Sequence, residues 1–266
     1  MESVPGSRYG TYFEGREHFD GDIESEAPSP SDARKMADAK VVEAFRREYR
    51  ERFAGRFYNG WLHAATTFGI GAAAIGLGLS QVRRVRPQEL AVVPAALLFA
   101  NAVEWAVHKE LLHHLRPGLF VLYSRHALNH HEFFNSERMT FDGSDDFRIV
   151  FFPPFAILAS IGGTAALGAG LARFSRSRNA GLLFCVTGTA FYLLYEIMHL
   201  CEHLPESAPS SRIPLVAYMR RHHARHHDKR RMVEHNFNLT FPLADALLGT
   251  LASASSSQNE FHPVFG

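Results

Sequence analysis

The chain has 266 residues, 46% of them hydrophobic and 21% charged, a formal net charge of +1 and two cysteines. That balance excludes a nucleic-acid binder driven by bulk charge, a collagen or coiled-coil repeat, and a disulfide scaffold, since Cys185 and Cys201 have no paired spacing. The anomaly is 16 histidines, and function is sought there.

Residues 1–40 are rich in Ser, Pro, Gly, Asp and Glu without apolar periodicity, and read as a disordered tail. They lack the apolar core of a secretory signal, so the chain is expected to enter a membrane through its own first span. Residues 41–58 are Arg-rich, with Val41, Val42, Phe45, Tyr49, Phe53 and Phe57 on a three-to-four repeat. An interfacial amphipathic helix and a core-facing helix fit that repeat equally. Four windows almost free of charge follow, 61–80, 89–107, 149–172 and 180–200. Each is long enough for a helix to cross ~30 Å of hydrocarbon at ~1.5 Å per residue. The first is crowded with Gly69, Gly71, Gly76 and Gly78, which suits close packing against other spans. Pro153 and Pro154 can occupy the first turn of the third. The fold class read from this pattern is all-α: four transmembrane helices within a membrane domain over 59–252, a cytosolic helical cap, and a C-terminal tail over 253–266.

Orientation follows the basic residues. If 81–88 and 173–179 share one side, that side holds Arg83, Arg84, Arg86, Arg173, Arg176 and Arg178, while the other connections hold many more. The N-terminus, the 108–148 connection and the last sixty residues are then cytoplasmic, and the histidine-dense stretches meet on one face. Arginine far outnumbers lysine, a weak compositional pointer to a bacterial inner membrane, with the endoplasmic reticulum as the alternative for a eukaryotic source.

The histidines fall into groups. His126 and His130 are four apart, as are His199 and His203, while His223, His226 and His227 make a triangular patch on a helix. Neutral imidazole is the commonest metal ligand, and such spacings aim two nitrogens at one point. His108 and His113 share no α-helical face, so the second span is expected to end or distort between them. The stretch from His222 to His227 alone also fits a metal-buffering tract; the other pairs do not. Ten imidazoles exceed what one ion can use, so two metals is the economical count. Nitrogen ligands suit iron, zinc or copper. Glu104, one turn before His108, and Glu196, three residues before His199, are ionisable groups in apolar spans and hence functional candidates; solvated carboxylates at the membrane surface are the alternative. A redox metal just below the headgroups could activate dioxygen beside a slot for an alkyl chain, which makes hydroxylation of a lipid C–H bond the leading chemistry. No Gly-x-Ser-x-Gly turn or phosphate-cradling loop competes. Desaturation of a lipid or sterol is the alternative reaction, and a membrane metal transporter or reservoir the non-enzymatic one. Arg212, Arg220, Arg221, Arg225, Lys229, Arg230 and Arg231 surround the last histidines, either for anionic headgroups or an acidic donor or as a solvated face. Cys201 reads as packing.

The motifs His108-Lys-Glu-Leu-Leu-His113, His126-Ala-Leu-Asn-His130-His131, Tyr195-Glu-Ile-Met-His199-Leu-Cys-Glu-His203 and His223-Ala-Arg-His226-His227 resemble the histidine boxes of the fatty acid hydroxylase and sterol desaturase superfamily, and within it the fatty acid 2-hydroxylases. Asp142-Gly-Ser144, Phe152-Pro-Pro154 and the ending Asn236-Phe-Asn-Leu-Thr-Phe-Pro-Leu243 extend the likeness over about residues 95 to 252. Three residues separate His126 from His130, where those 2-hydroxylases have two. The resemblance implies two iron ions, with zinc possible in a preparation, held by His108, His113, His126, His130, His131, His199, His203, His223, His226 and His227. It also implies O2 as co-substrate, an acyl chain entering from the bilayer, and a separate electron donor such as a cytochrome or ferredoxin. His114, His222 and His235 are left as neighbours, with His222 competing with His223; His18, His63 and His262 fall outside every box.

Overall fold

The computed structural model describes residues 30–252. The tail readings for 1–29 and 253–266, with His18 and His262, lie outside the described residues. The chain divides into two compact units, Met1–Ala39 and Lys40–Gly266, and the described part of the first is helical from Pro30. Among the described residues every regular element is helical.

Helix α1 spans Pro30–Phe53, so the helix expected over 41–58 starts earlier and stops sooner. Residues 32–40 are mostly Ala, Lys, Arg and Met, strong helix formers that carry no apolar repeat, and Gly55 follows the end. Tyr49 is buried, and Phe45, Tyr49 and Phe53 pack into a core with Phe133, Phe134, Phe147 and Phe151. This is the core-facing alternative; Val41 and Phe57 stay exposed. Arg46, also fully buried, donates to the Thr140 carbonyl at 2.7 Å and lies over the Phe133 ring. Arg50 reaches Asp146 at 2.7 Å and Asp142 at 2.7 Å.

The elements that follow are α2 (Gly60–Gln81), α3 (Pro87–Leu90), α4 (Val92–Val107), a π-turn (His108–Leu112), α5 (Phe120–Tyr123), a second π-turn (Ser124–His130), α6 (His131–Phe133), α7 (Phe147–Val150), α8 (Phe155–Ser175), α9 (Arg178–Glu202), α10 (Pro214–His226) and α11 (Leu243–Leu247). Four stretches, Gly60–Gln81, Pro87–Leu112, Ser144–Ser175 and Arg178–Glu202, are long and apolar enough to cross a membrane. Leu62, Leu77, Leu98 and Leu158 are exposed along them, as lipid-facing positions must be. The chain is an all-α, multi-pass membrane protein.

Helix α9 is the most buried span and packs against α8, α2 and α4. Asn59 caps α2 by accepting the Leu62 N–H at 2.9 Å, and Ser177 caps α9 by accepting that of Ala180 at 3.1 Å. Small residues set the spacing. A Cβ on Gly181 would fall 2.3 Å from the Gly168 carbonyl oxygen, so the α8–α9 crossing tolerates only glycine at that point. In α2, Gly71 meets Leu193 and Gly78 meets Val186, whereas Gly69 and Gly76 face open space.

Candidate metal centre

Both π-turns carry histidine. An α-helix brings residues three and four apart onto one face, whereas i→i+5 bonding widens the turn so that residues five apart align. The distortion expected after α4 is the first of these turns, and it stacks His108 and His113 with ring centroids 5.1 Å apart. In the second, the N–H of His131 bonds the carbonyl of His126, again five apart. The last residues of α9 supply His199 and His203, and α10 with its C-terminal cap supplies His223, His226 and His227.

Two clusters result. One donor nitrogen from each of His108, His113, His126, His131 and His226 lies within 4.8 Å of the others, as does one from each of His130, His203, His223 and His227. His199 joins the second cluster, its Nε2 3.3 Å from that of His130 and 3.2 Å from that of His203. The clusters share a wall: His126 stacks on His130 at 5.0 Å and His131 on His227 at 4.3 Å. The grouping differs from the α-helical expectation. His126 and His130 fall in different clusters because the π-turn pairs His126 with His131, and the triangular patch divides, with His226 in the first cluster and His223 and His227 in the second.

The ring tautomers show what the clusters need. His203, His227 and His130 donate from Nδ1 to the carbonyls of Met139 (2.6 Å), Phe134 (2.9 Å) and Ile149 (3.1 Å). Their Nε2 atoms therefore carry lone pairs, and the Nε2 of His223 sits 3.2 Å from one and 3.0 Å from another. Three converging lone pairs cannot bond one another, and a single proton on His223 cannot satisfy all three. A cation can: metal–nitrogen bonds of about 2.1 Å put neighbouring ligand atoms about 3.0–3.4 Å apart. The first cluster has the same character, with His108 donating from Nδ1 to Phe237 at 2.5 Å and His226 to His235 at 2.8 Å. Its Nε2 contacts run from 2.8 Å (His108 to His126) through 2.9 Å (His113 to His226) to 3.2 Å (His126 to His131). Burial, then repulsion from the other rings, pushes His113, His126, His130, His131, His203, His223 and His227 far below the ordinary imidazole range. Burial also takes His226 down to about 4. Neutral rings are the form that binds metal. The donor set fits a pair of cations.

The remaining histidines lie elsewhere. His222 donates to Asp245 at 3.1 Å, leaving His223 in the cluster. His114 is exposed, with Nδ1 on the Lys109 carbonyl, and His235 is half-buried. His63 is buried, bridging Tyr58 and the Phe152 carbonyl, and so ties α2 to residue 152. Cys201 packs beside Met198, Val216 and Met219.

Glu104 is buried and accepts the N–H groups of Leu239 (2.5 Å) and Thr240 (3.1 Å), the Thr240 hydroxyl (2.6 Å) and the Asn238 amide (3.2 Å). Glu196 accepts the Phe152 N–H at 3.3 Å and the Tyr192 hydroxyl at 2.8 Å through Oε1, while Oε2 has no partner. None of these bonds goes to a histidine. What Glu104 holds is a buried strap from Asn236 to Thr240, which Asp245 secures from the other side through the N–H groups of Phe237 and Asn238. Asn236 sits at φ 61, a left-handed conformation that Asn tolerates. Asp245 and Glu202 escape sequence reasoning, although Glu202, an acid at the end of an apolar span, carries the same signal as Glu196.

A cavity of about 460 Å³ lies between α4, α8 and α9. Its wall is almost wholly apolar, including Val103, Gly163, Phe184 and Phe191, and it reaches His108 and Glu104 at one end. A small pocket beside it is lined by Arg125, His126, His130 and His199. Phe152 and Tyr195 border both, with rings stacked at 5.7 Å.

Searches of curated proteins and of solved structures return no match. The fatty acid hydroxylase family, by contrast, matches residues 93–250, more than half of the chain, a stretch that takes in both histidine clusters, the cavity and the strap. The chain belongs to the fatty acid hydroxylase family.

Proposed function

We propose that this membrane protein is a di-iron oxygenase that hydroxylates the acyl chain of a lipid. The observation that carries the reading is the meeting of paired imidazole clusters with an apolar cavity, His108 belonging both to the first cluster and to the cavity wall. His108, His113, His126, His131 and His226 would hold one ion, and His130, His199, His203, His223 and His227 the other. Iron bound there would supply activation of O2 for insertion into a C–H bond, chemistry for which zinc has no redox capacity.

The protein's part is placement. Cavity residues on α4 run from Ala96 to Val107, about 16 Å at about 1.5 Å per residue. That is close to one leaflet, half of the ~30 Å hydrocarbon core. One extended acyl chain lying in the cavity would have its tail toward the bilayer centre and a carbon near its headgroup end beside the histidines, the region oxidised by the 2-hydroxylases that the boxes resemble. Phe152 and Tyr195, which line both the cavity and the small pocket of His126, His130 and His199, would stand between the acyl chain and those rings. Glu104 acts through the strap and Glu196 through Phe152, so both are positioning residues. The histidine end faces the cytoplasm in this reading, where a separate cytochrome or ferredoxin delivers electrons, and a bacterial inner membrane is the favoured location.

The test is the mass of acyl lipids from cells with and without the protein. A gain of one oxygen supports the hydroxylase; a loss of two hydrogens moves the reading to the desaturase; unchanged lipids with metal crossing vesicles move it to a transporter. Loss of both bound metal and product in His199→Ala would assign that ring to the site.

A further inference from the structure

Ten imidazoles around two ions leave a buried carboxylate, that of Glu202, without a role. Glu202 closes α9 beside His203, is 1% exposed, and neither of its oxygens has a hydrogen-bond partner. A carboxylate withdrawn from water is costly unless a proton donor or positive charge stands near it. Within ion-pair distance stands His223, whose Nδ1 lies 3.8 Å from Glu202 Oε2 and is itself buried without a hydrogen-bond partner. The opposite nitrogen of the same ring, Nε2, faces His203 and His227. His108, His130, His203, His226 and His227 all give their Nδ1 protons to backbone carbonyls. Of the ten rings, only His223 has a carboxylate within ion-pair distance among the described residues; the Asp245 contact belongs to His222.

We propose that Glu202, within ion-pair reach of the Nδ1 of His223, orients that ring and, acting through it, strengthens the hold of the second cluster on its metal. The inference rests on the di-metal reading above. A carboxylate behind an imidazole fixes the tautomer that leaves the lone pair on Nε2 and raises its basicity. It also places a negative charge near an ion otherwise met by neutral rings. The first cluster has no equivalent among the described residues, so the two metal positions are unequal, and the one that includes His223 is the tighter.

The full chain, purified in detergent and loaded anaerobically with ferrous iron, is challenged with a chelator, and the release of each iron is timed alongside the thermal midpoint. In Glu202→Leu one iron is expected to leave about 10–100-fold faster than in the parent, while the other is unchanged; Glu202→Asp restores much of the retention. Unchanged release with a raised thermal midpoint overturns the proposal, because that is what removing a merely unpartnered buried carboxylate does. Where Glu202→Leu fails to fold, Glu202→Gln decides: selective loosening of one iron supports the role, and unchanged retention overturns it. A parent chain that binds no second iron overturns the di-metal reading itself, and this inference with it, whatever the variants do.

Discussion

Nδ1 of His108 lies 2.5 Å from the carbonyl oxygen of Phe237, and one turn earlier on the same helix Glu104 holds the residues that follow Phe237. The aim of a histidine on the second span is therefore set by a strap far along the chain. Asn101 joins in, donating to the Phe241 carbonyl at 2.8 Å and accepting the Ala244 N–H at 3.0 Å. Replacing Glu104 with Leu strands several buried donors at once. The expected cost is about 3 kcal/mol or more, with weakened metal retention, whereas Glu104→Gln, which keeps an acceptor, costs less. Thermal melting and metal content measure both; a Glu104→Leu protein that melts like the parent removes the strap from the account.

His222 and His223 are adjacent yet serve different ends. His222 braces Asp245, which also takes the Thr250 hydroxyl at 2.7 Å, while His223 faces its own cluster. His222→Asn should keep both metals and lose about 1–3 kcal/mol of stability. His223→Asn should lose metal from one position. Equal metal loss in the two variants would show that the helix, rather than the ring, controls binding.

The spans and the gathering of histidines are legible in sequence because a bilayer demands long uncharged stretches and the histidine groups fall at the ends of spans or in the connections beyond them. How the rings divide is not legible. A period of 3.6 pairs His126 with His130, but the backbone bond from His131 to His126 creates a period of five that no side-chain pattern announces. Glu104 shows a second limit. Its burial in a span marks it as significant, yet its partners at Leu239 and Thr240 are supplied by tertiary folding, so its work as an anchor cannot be read from its neighbours in sequence. The helix starting at Pro30 shows a third, because strong helix formers without an apolar face resemble a polar tail.

Acid should empty the centre. Eight of the ten rings lie outside the apolar spans, and burial holds each below the ordinary value of 6.5, His226 at about 4. The unfolded chain binds protons on these rings below pH 6.5 while the folded chain does not. Stability is therefore complete above that pH and falls as pH drops from 6.5 toward the folded values. Each ring contributes up to about 1.4 kcal/mol per pH unit over that window, so the metal-free protein should lose its stability within about two units below 6.5. Bound metal should move the transition to lower pH. Melts of metal-free and loaded protein between pH 7.5 and pH 4.5, read as approximate midpoints, check the direction; a flat profile would mean that the rings are solvated in the folded state.

The cavity makes a prediction about chain length. A Cβ on Gly163 meets nothing within 4 Å, and the residue lines the cavity wall on α8, so a larger side chain there grows into the cavity rather than into a neighbouring helix. Gly163→Leu should fold, since replacing glycine within a helix recovers about 0.5–1 kcal/mol of backbone propensity. Its lipid products should shift to shorter acyl chains, because the added side chain occupies space that the distal carbons need. Gly162→Ala, also in open space, serves as the control and should leave the product lengths unchanged. Gly181→Ala instead drives a Cβ against the Gly168 carbonyl and should lower stability by about 1–3 kcal/mol without selecting for length. Measuring both the melting midpoint and the acyl-length distribution separates the two effects. If Gly163→Leu leaves the length distribution unchanged while folding normally, the substrate chain lies somewhere other than this cavity.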